Sequence, residues 1–511
     1  MRRIGIDVGG TNTDAVLVED RGVVHWFKTA TTADVGSGIV AALEGLMADP
    51  RVRARPVDAV MIGTTHFTNA VVQRRDMTRV GALRLGLPAS ASLPPFCDWP
   101  ADLARLVEGA VHMVEGGHEF DGRPIMPLDE AAVARAADDF KAKGVKAVAV
   151  SGVFSPLVPA GEERAAEILR ARLPGVPITL SHKLGRIGLL ERENAALLNA
   201  ALTDLAARTV KGFTEALAAS GIEAPLYITQ NDGTVARAAL AQAYPVYSFA
   251  SGPTNSMRGA AFLSRRDDAV VIDVGGTTAD VGVLRHGFPR EANAVVEVGG
   301  VRTLFRMPDL LSIGLGGGSL VSERPLAIGP RSVGYELTRK ALIFGGDVLT
   351  ASDVAVAAGR LDLGDKAKVA QLAPDFVRAA LDRARVMLEE AIDRVKTEAG
   401  EVVLLAVGGG AFLIPERIEG VAEILRVPHG AVANAVGAAI AQVSGEADQV
   451  FQGLARDAAL AEAERIARDN AVAAGAARAS LKTVEVEDLP LAYLPGNALR
   501  VRTRVIGDVA S

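Results

Sequence analysis

Cysteine is almost absent: Cys97 is the only one in 511 residues. An intrachain disulfide is therefore excluded, as is a zinc site built on cysteines, and a reducing compartment is the expectation. Basic residues are not in excess either. Lys and Arg number 55 against 61 Asp and Glu, for a net charge of −6. No Lys/Arg block offsets this, so nucleic acid, which calls for a basic surface, is not an expected partner. No apolar run approaches the ~18–20 residues of a membrane span. The N-terminal MRRIGIDVGG reaches Asp7 after one short apolar stretch, too short for the core of a signal peptide. These absences predict a cytoplasmic protein with no membrane partner. A Walker A loop is also missing, since GxxxxGK[ST] does not occur.

What is present is a repeated phrase. Residues 7–14 read DVGGTNTD and residues 273–280 read DVGGTTAD, each directly after an apolar strand and before a second one. A strand rather than a helix follows each loop, which separates the pattern from a dinucleotide fingerprint. Each copy reads as a β-hairpin. Gly9, Gly10, Gly275 and Gly276 lack a Cβ, so they can turn their N–H groups inward and admit a phosphate. Thr11, Thr13, Thr277 and Thr278 add hydroxyl donors, and Asn12 lies in the same loop. Asp7 and Asp273 can hold Mg²⁺ directly or through its water shell. Asp14 and Asp280 close the two hairpins and can brace them. A third cluster, Gly408, Gly409 and Gly410, follows the strand VVLLAV and precedes an expected helix start. There a close backbone approach can receive adenine or ribose.

At this length the chain exceeds one ordinary core. The pattern divides it into residues 1–187 with the first hairpin, 188–445 with the second, and a C-terminal appendage, 446–511. Alternating strands and helices mark the first part, including helices over 35–48, 128–144 and 160–172. A nearly unpunctuated helical stretch over 188–219 can bridge two lobes. Further helices are expected near 371–398 and 432–444. From about 446 one long charged, Ala-rich helix is expected, then two short strands.

The two hairpins and the later glycine loop resemble the actin/sugar-kinase/Hsp70 ATPase superfamily. More narrowly, IGTTHFTNAVVQR (62–74) is similar to the HGTTxxTNAxxER segment of the hydantoinase A/5-oxoprolinase family. So are GGHEFDGRPIMPLDE (116–130), LLERENAALLNAAL (189–202), ITQNDG (228–233), FASGP (249–253), GLGGGSL (314–320) and NAVGAA (434–439). The resemblance runs from residue 4 to about 444. It implies a two-lobed, actin-like α/β fold of duplicated ribonuclease-H-like domains, with the C-terminal appendage added. It also implies an ATP- and Mg²⁺-dependent hydrolase that opens a cyclic amide. ATP would phosphorylate the amide oxygen, water would attack the carbon, and phosphate would leave. Positioning and charge neutralisation would be the protein's share.

On the substrate side the candidates are Thr64, Thr65, His66 and Asn69, with Ser251 and Gly252, and Gly317 and Ser319 in a further glycine loop. His66 stands where the family is commonly apolar. Glu191, on one helix with Arg192 and Asn199, is a candidate general base, although an intrahelical or interlobe salt bridge is the favoured reading. His112 and His118 with Glu115 and Glu119 read more easily as a hairpin than as a metal site. Cys97 has no histidine nearby in sequence to activate it. The expected partners are a small cyclic amide, a second hydrolase subunit and further copies of the chain.

Three features depart from the family pattern. Thr254, Asn255 and Ser256 follow SGP where small residues are usual. The PGPxCYG segment of longer members is replaced by YELTRKALIFGGD, and the chain is shorter than the long form. These point to a short subfamily with a substrate of its own. Two alternatives stand beside hydrolysis: a small-molecule kinase or ATP-using carboxylase subunit, and an actin-like regulatory ATPase.

Overall fold

Each copy of the repeated phrase folds as a hairpin in the computed structural model. The model describes the chain except residues 10–11, 21, 32–34, 186, 293–295, 306, 493–495 and 511, and of Val35 the backbone alone. Arg2–Val8 pairs antiparallel with Asn12–Glu19, and Ala269–Val274 with Ala279–Arg285. The registers match: Asp7 lies opposite Asp14, and Asp273 opposite Asp280. On its other side each leading strand has a parallel neighbour, Ala59–Thr64 in the first lobe and Val402–Val407 in the second. These central strands are covered on both faces, and their apolar runs reflect it.

The strand order repeats as well. The first lobe reads Gly22–Ala30, Asn12–Glu19, Arg2–Val8, Ala59–Thr64, Leu226–Thr229. The second reads Phe288–Pro289, Ala279–Arg285, Ala269–Val274, Val402–Val407, Val421–Arg426. The first sheet then continues through Val235–Arg237, Val443–Phe451 and Leu499–Gly507 to an edge at Lys482–Pro490, nine strands in all. Residues 443–451 are therefore strand where the composition predicts helix from 446. The helix is shorter, Arg456–Ala473, and packs Ala459, Ala463, Ala467 and Ala471 against that sheet.

Between Ala59–Thr64 and Leu226–Thr229 the chain inserts a four-stranded, all-parallel sheet, Val80–Leu87, Glu108–Glu115, Ala147–Gly152 and Ile178–Leu180. The helix Leu189–Ala219 joins this insert to the first lobe, packing on both Ala147–Gly152 and the helix Val35–Met47. Its motif residues face a buried polar seam. Glu193 accepts from Arg84 Nε (2.9 Å) and Ser151 (2.5 Å), Asn194 accepts from Trp99 Nε1 (2.7 Å), and Asn199 donates to Thr179 (3.1 Å). Arg192 donates to Ser181 (2.9 Å) and to the Ile187 carbonyl (2.7 Å), and burial brings its pKa down to about 10.

Two helices meet between the lobes. Ser251–Ser264 leans on second-lobe strands and Ala433–Ile440 on first-lobe strands. They cross at Gly259 and Gly437, where any side chain would collide with the backbone of the facing helix.

Candidate functional site

The two hairpin turns are built alike: Gly9 N–H donates to the Asn12 carbonyl (3.0 Å), and Gly275 N–H to the Thr278 carbonyl (2.8 Å). Gly10 and Thr11, both expected at the first loop, lie outside the described residues. Asp7 is buried; its Oδ2 accepts from the Asn434 amide (3.3 Å), and its Oδ1 has no hydrogen-bond partner among the described residues. Burial and then the charge of Asp14 push its carboxyl up to about 7, against the pull of Asn434 and Lys28. Asp14 is held by Lys28 at 2.8 Å and is itself raised by burial. In the second hairpin, burial raises Asp273 and lifts Asp280 to about 6, while the Ser312 hydroxyl donates to Asp280.

The charge of Asp273 acts on Asp7 and Asp14, and Lys28 acts on Asp7, Asp14 and Asp273. The hairpins therefore share one electrostatic space. Crowded carboxyls of weakened acidity, one with an unpaired oxygen, suit a divalent cation. Among the described residues no group of three or more His, Cys, Asp or Glu is placed to hold a metal. Asp7 and Asp273 fit the pattern in which Mg²⁺ takes one or two carboxylates, with phosphate and water completing its shell.

The glycine clusters lie against the second hairpin. Gly408 has φ +87°, and Gly410 N–H donates to the Val274 carbonyl (2.7 Å), while the Cβ position of Gly409 has no neighbour within 4 Å. The expected helix start after Gly410 is a single 3₁₀ turn, Ala411–Leu413. Pro415 follows closely and disfavours helix in the residue before it. Gly317 N–H donates to the Gly275 carbonyl (3.0 Å), and Ser319 Oγ accepts from Gly316 N–H (2.8 Å) and donates to the Gly314 carbonyl (3.1 Å). These groups brace the second hairpin from within, leaving Thr277 and Thr278 exposed at its tip. Asn12 is exposed at the first tip, whereas Thr13 is fully buried with its hydroxyl 3.3 Å from Thr31.

Of the substrate-side candidates, Thr64, Thr65, His66, Asn69, Ser251 and Gly252 form one cluster beside Asp7, whereas Gly317 and Ser319 lie against the second hairpin. Parallel pairing sets Gly63 opposite Asp7 and Thr64 opposite Val8. Thr64 Oγ1 is 2.5 Å from His66 Nδ1, Asn69 donates to Thr65 (3.1 Å), and Ser251 Oγ donates to the Thr64 carbonyl (3.5 Å). The Cβ position of Gly252 is 3.6 Å from Thr65. Burial, with Arg75 adding, lowers the His66 pKa and keeps the ring neutral at pH 7. Ala250, just before, sits in the left-handed region at φ +55°. Glu191 belongs elsewhere: it accepts from Arg302 (2.9 Å) on the strand Val301–Thr303. His112 binds Asp139 (2.7 Å), and the largely exposed Cys97 has its pKa raised by partial desolvation and by the charge of Asp98, so its thiol is not activated. Sequence reasoning missed Lys28, Asn434, Asn255 and Ser256. Lys28 was within reach, since hairpin register sets it opposite Asp14.

A family model described as hydantoinase/oxoprolinase N-terminal region matches residues 3–173, and one described as hydantoinase/oxoprolinase matches residues 192–365. The chain is 28% identical over 390 residues to caprolactamase subunit alpha of Pseudomonas jessenii, covering 70% of this chain and 54% of that protein. It is 28% identical over 399 residues to the acetophenone carboxylase gamma subunit of Aromatoleum aromaticum, covering 70% and 53%. The chain thus spans about half the length of these two relatives. The crystal structure of the ATP-dependent caprolactamase from P. jessenii superposes with a TM-score of 0.79 at 21% identity, covering 99% of this chain and 88% of that one. The fold is the two-lobed, actin-like α/β arrangement. No described helix is long and apolar enough to cross a membrane.

Proposed function

Because the chain belongs to the hydantoinase/oxoprolinase family, we propose that it is an ATP- and Mg²⁺-dependent enzyme, or the ATP-using subunit of one, that opens a cyclic amide. One observation carries this: two hairpins of identical register, Asp7 opposite Asp14 and Asp273 opposite Asp280, share one electrostatic space beside the Thr64–His66 cluster. Mg–ATP, when bound, would supply a phosphoryl group for the amide oxygen. Water would then add at the activated carbon, the ring C–N bond would break with nitrogen taking a proton, and a second water would cleave the resulting acyl phosphate to carboxylate and inorganic phosphate.

The chain's own residues do the rest. Asp7 and Asp273 would hold the metal, Lys28 would offset their mutual repulsion, and Thr277 and Thr278 would meet phosphate oxygens. Gly409, whose Cβ position is open, would leave room for adenosine. Neutral His66, oriented by Thr64, is available to hydrogen-bond the ring near Asp7. Glu191, engaged by Arg302, anchors the helix Leu189–Ala219 rather than acting as a base.

The test is ADP release from the purified chain, with and without a candidate second subunit, over a panel of lactams, hydantoins and cyclic ureas. ADP formation in step with ring opening is expected. Failure to bind Mg–ATP under any of these conditions would overturn the proposal. The similarity to a carboxylase subunit supports a second reading on the same scaffold. Turnover that requires bicarbonate, without ring opening, would select it.

A further inference from the structure

The helix Ser251–Ser264 carries Asn255 and Ser256 where the family pattern continues with small residues. Both side chains are fully buried. Asn255 Oδ1, like Asp7 Oδ1, has no hydrogen-bond partner among the described residues. A buried polar atom left unpaired costs ~1–3 kcal/mol, so two beside one cleft call for a functional cause.

Their placement suggests one. Asn255 Nδ2 and Asp7 Oδ1 lie 2.7 and 3.2 Å from the point where a Cβ on Gly63 would stand, with Thr229 Oγ1 at 3.4 Å. Asn255 is fixed there by donating to Thr229 (3.1 Å). Ser256, the next residue, is within hydrogen-bonding reach of the Asp273 carboxylate. A single turn of one helix therefore reaches both aspartates, one from each hairpin. An amide and a hydroxyl can orient carboxylates without neutralising the charge a metal needs, which a Lys or Arg at either position would do.

We propose that Asn255 and Ser256 are positioning residues for the metal–nucleotide complex, Asn255 setting Asp7 and Ser256 setting Asp273 so that both carboxylates meet one divalent ion. This rests on the ATP-clamp function proposed above. Outer partners of metal-holding groups typically govern 10–100-fold in metal affinity. Asn255→Ser and Ser256→Ala should each weaken Mn²⁺–ATP binding by about tenfold, while Ser256→Thr, which keeps the hydroxyl, should stay near wild type.

The experiment titrates Mn²⁺–ATP into the full chain. Binding is followed by the electron paramagnetic resonance of Mn²⁺, with ATP in EDTA as the metal-free control and thermal melts alongside. Weakened Mn²⁺–ATP binding with an altered Mn²⁺ spectrum and unchanged metal-free ATP binding supports the proposal. Wild-type Mn²⁺–ATP affinity in the variants, with only a lower melting temperature, overturns it and leaves the clamp standing. A wild-type chain that binds no Mn²⁺–ATP overturns both. Should one variant not fold, the other carries the same comparison.

Discussion

Gly408 and Gly409 are neighbours in sequence with opposite surroundings, and alanine at each separates architecture from ligand contact. At Gly408 φ is +87°, and a Cβ would collide with the Asp273 carboxylate and the Val274 carbonyl. A left-handed residue other than glycine costs ~1–2 kcal/mol, and forcing a methyl into a filled site adds ~1–3 kcal/mol. Gly408→Ala should therefore lose about 2–5 kcal/mol of folding stability, in the severe tail for single substitutions. At Gly409 nothing lies within 4 Å of the Cβ position. Gly409→Ala should leave stability within ~0.5 kcal/mol of wild type. If that open side receives adenosine, the added methyl should weaken ATP binding about tenfold, equivalent to ~1.4 kcal/mol. Urea denaturation reads the first quantity and calorimetric titration with Mg–ATP the second. Wild-type ATP affinity in Gly409→Ala would remove this loop from the nucleotide site. Undiminished stability in Gly408→Ala would refute the close packing on Asp273.

Three further outcomes are expected. The Asp7 carboxyl titrates at about 7 in the fold against ~3.9 in an unfolded chain. The folded state thus binds the extra proton, so this group's favourable contribution is complete below about pH 4 and is lost as pH rises through 7. Asp7→Asn should flatten that slope and raise the melting temperature at pH 7 while abolishing ATP turnover; a lowered melting temperature would contradict it. Glu193→Gln strands Arg84, fully buried, without its counter-charge, and should cost ~3–5 kcal/mol in chemical denaturation. Glu191→Gln breaks a partly exposed pair with Arg302. It should cost ~0–1 kcal/mol and leave turnover within about twofold; a loss of several orders of magnitude would restore Glu191 as a base.

The hairpins were legible because glycine, threonine and aspartate spacing is local and was written twice. The helix Leu189–Ala219 was legible for a related reason: its residues stay helical in character without punctuation. The strand Val443–Phe451 was not. Its buried positions include Gly445 and Ala447, small because the helix Arg456–Ala473 packs close, so its apolar alternation is faint. Asn434 and Asn255 reach the cleft from helices far along the chain, and only tertiary packing brings them beside Asp7. The glycine loop at 316–319 looked like the other phosphate loops. What differs is where its N–H groups point, toward the carbonyls of Gly275 and Gly276, and composition does not carry that.

The strand Arg2–Val8 waits for a helix more than 400 residues further along the chain. Gly5, in the middle of Arg2–Val8, is pressed against Ala435 and Ala439 of the helix Ala433–Ile440, and the same sheet continues into strands from residues 443–507. At ~5–20 residues per second, the N-terminal hairpin emerges roughly 20–90 seconds before its cover exists. Through that interval an apolar strand face stands open, a natural client for chaperones. A chain released early would also lack Asn434, which holds Asp7. Nucleotide binding would then require synthesis through residue 440, since shorter chains lack the cover of the strand Arg2–Val8.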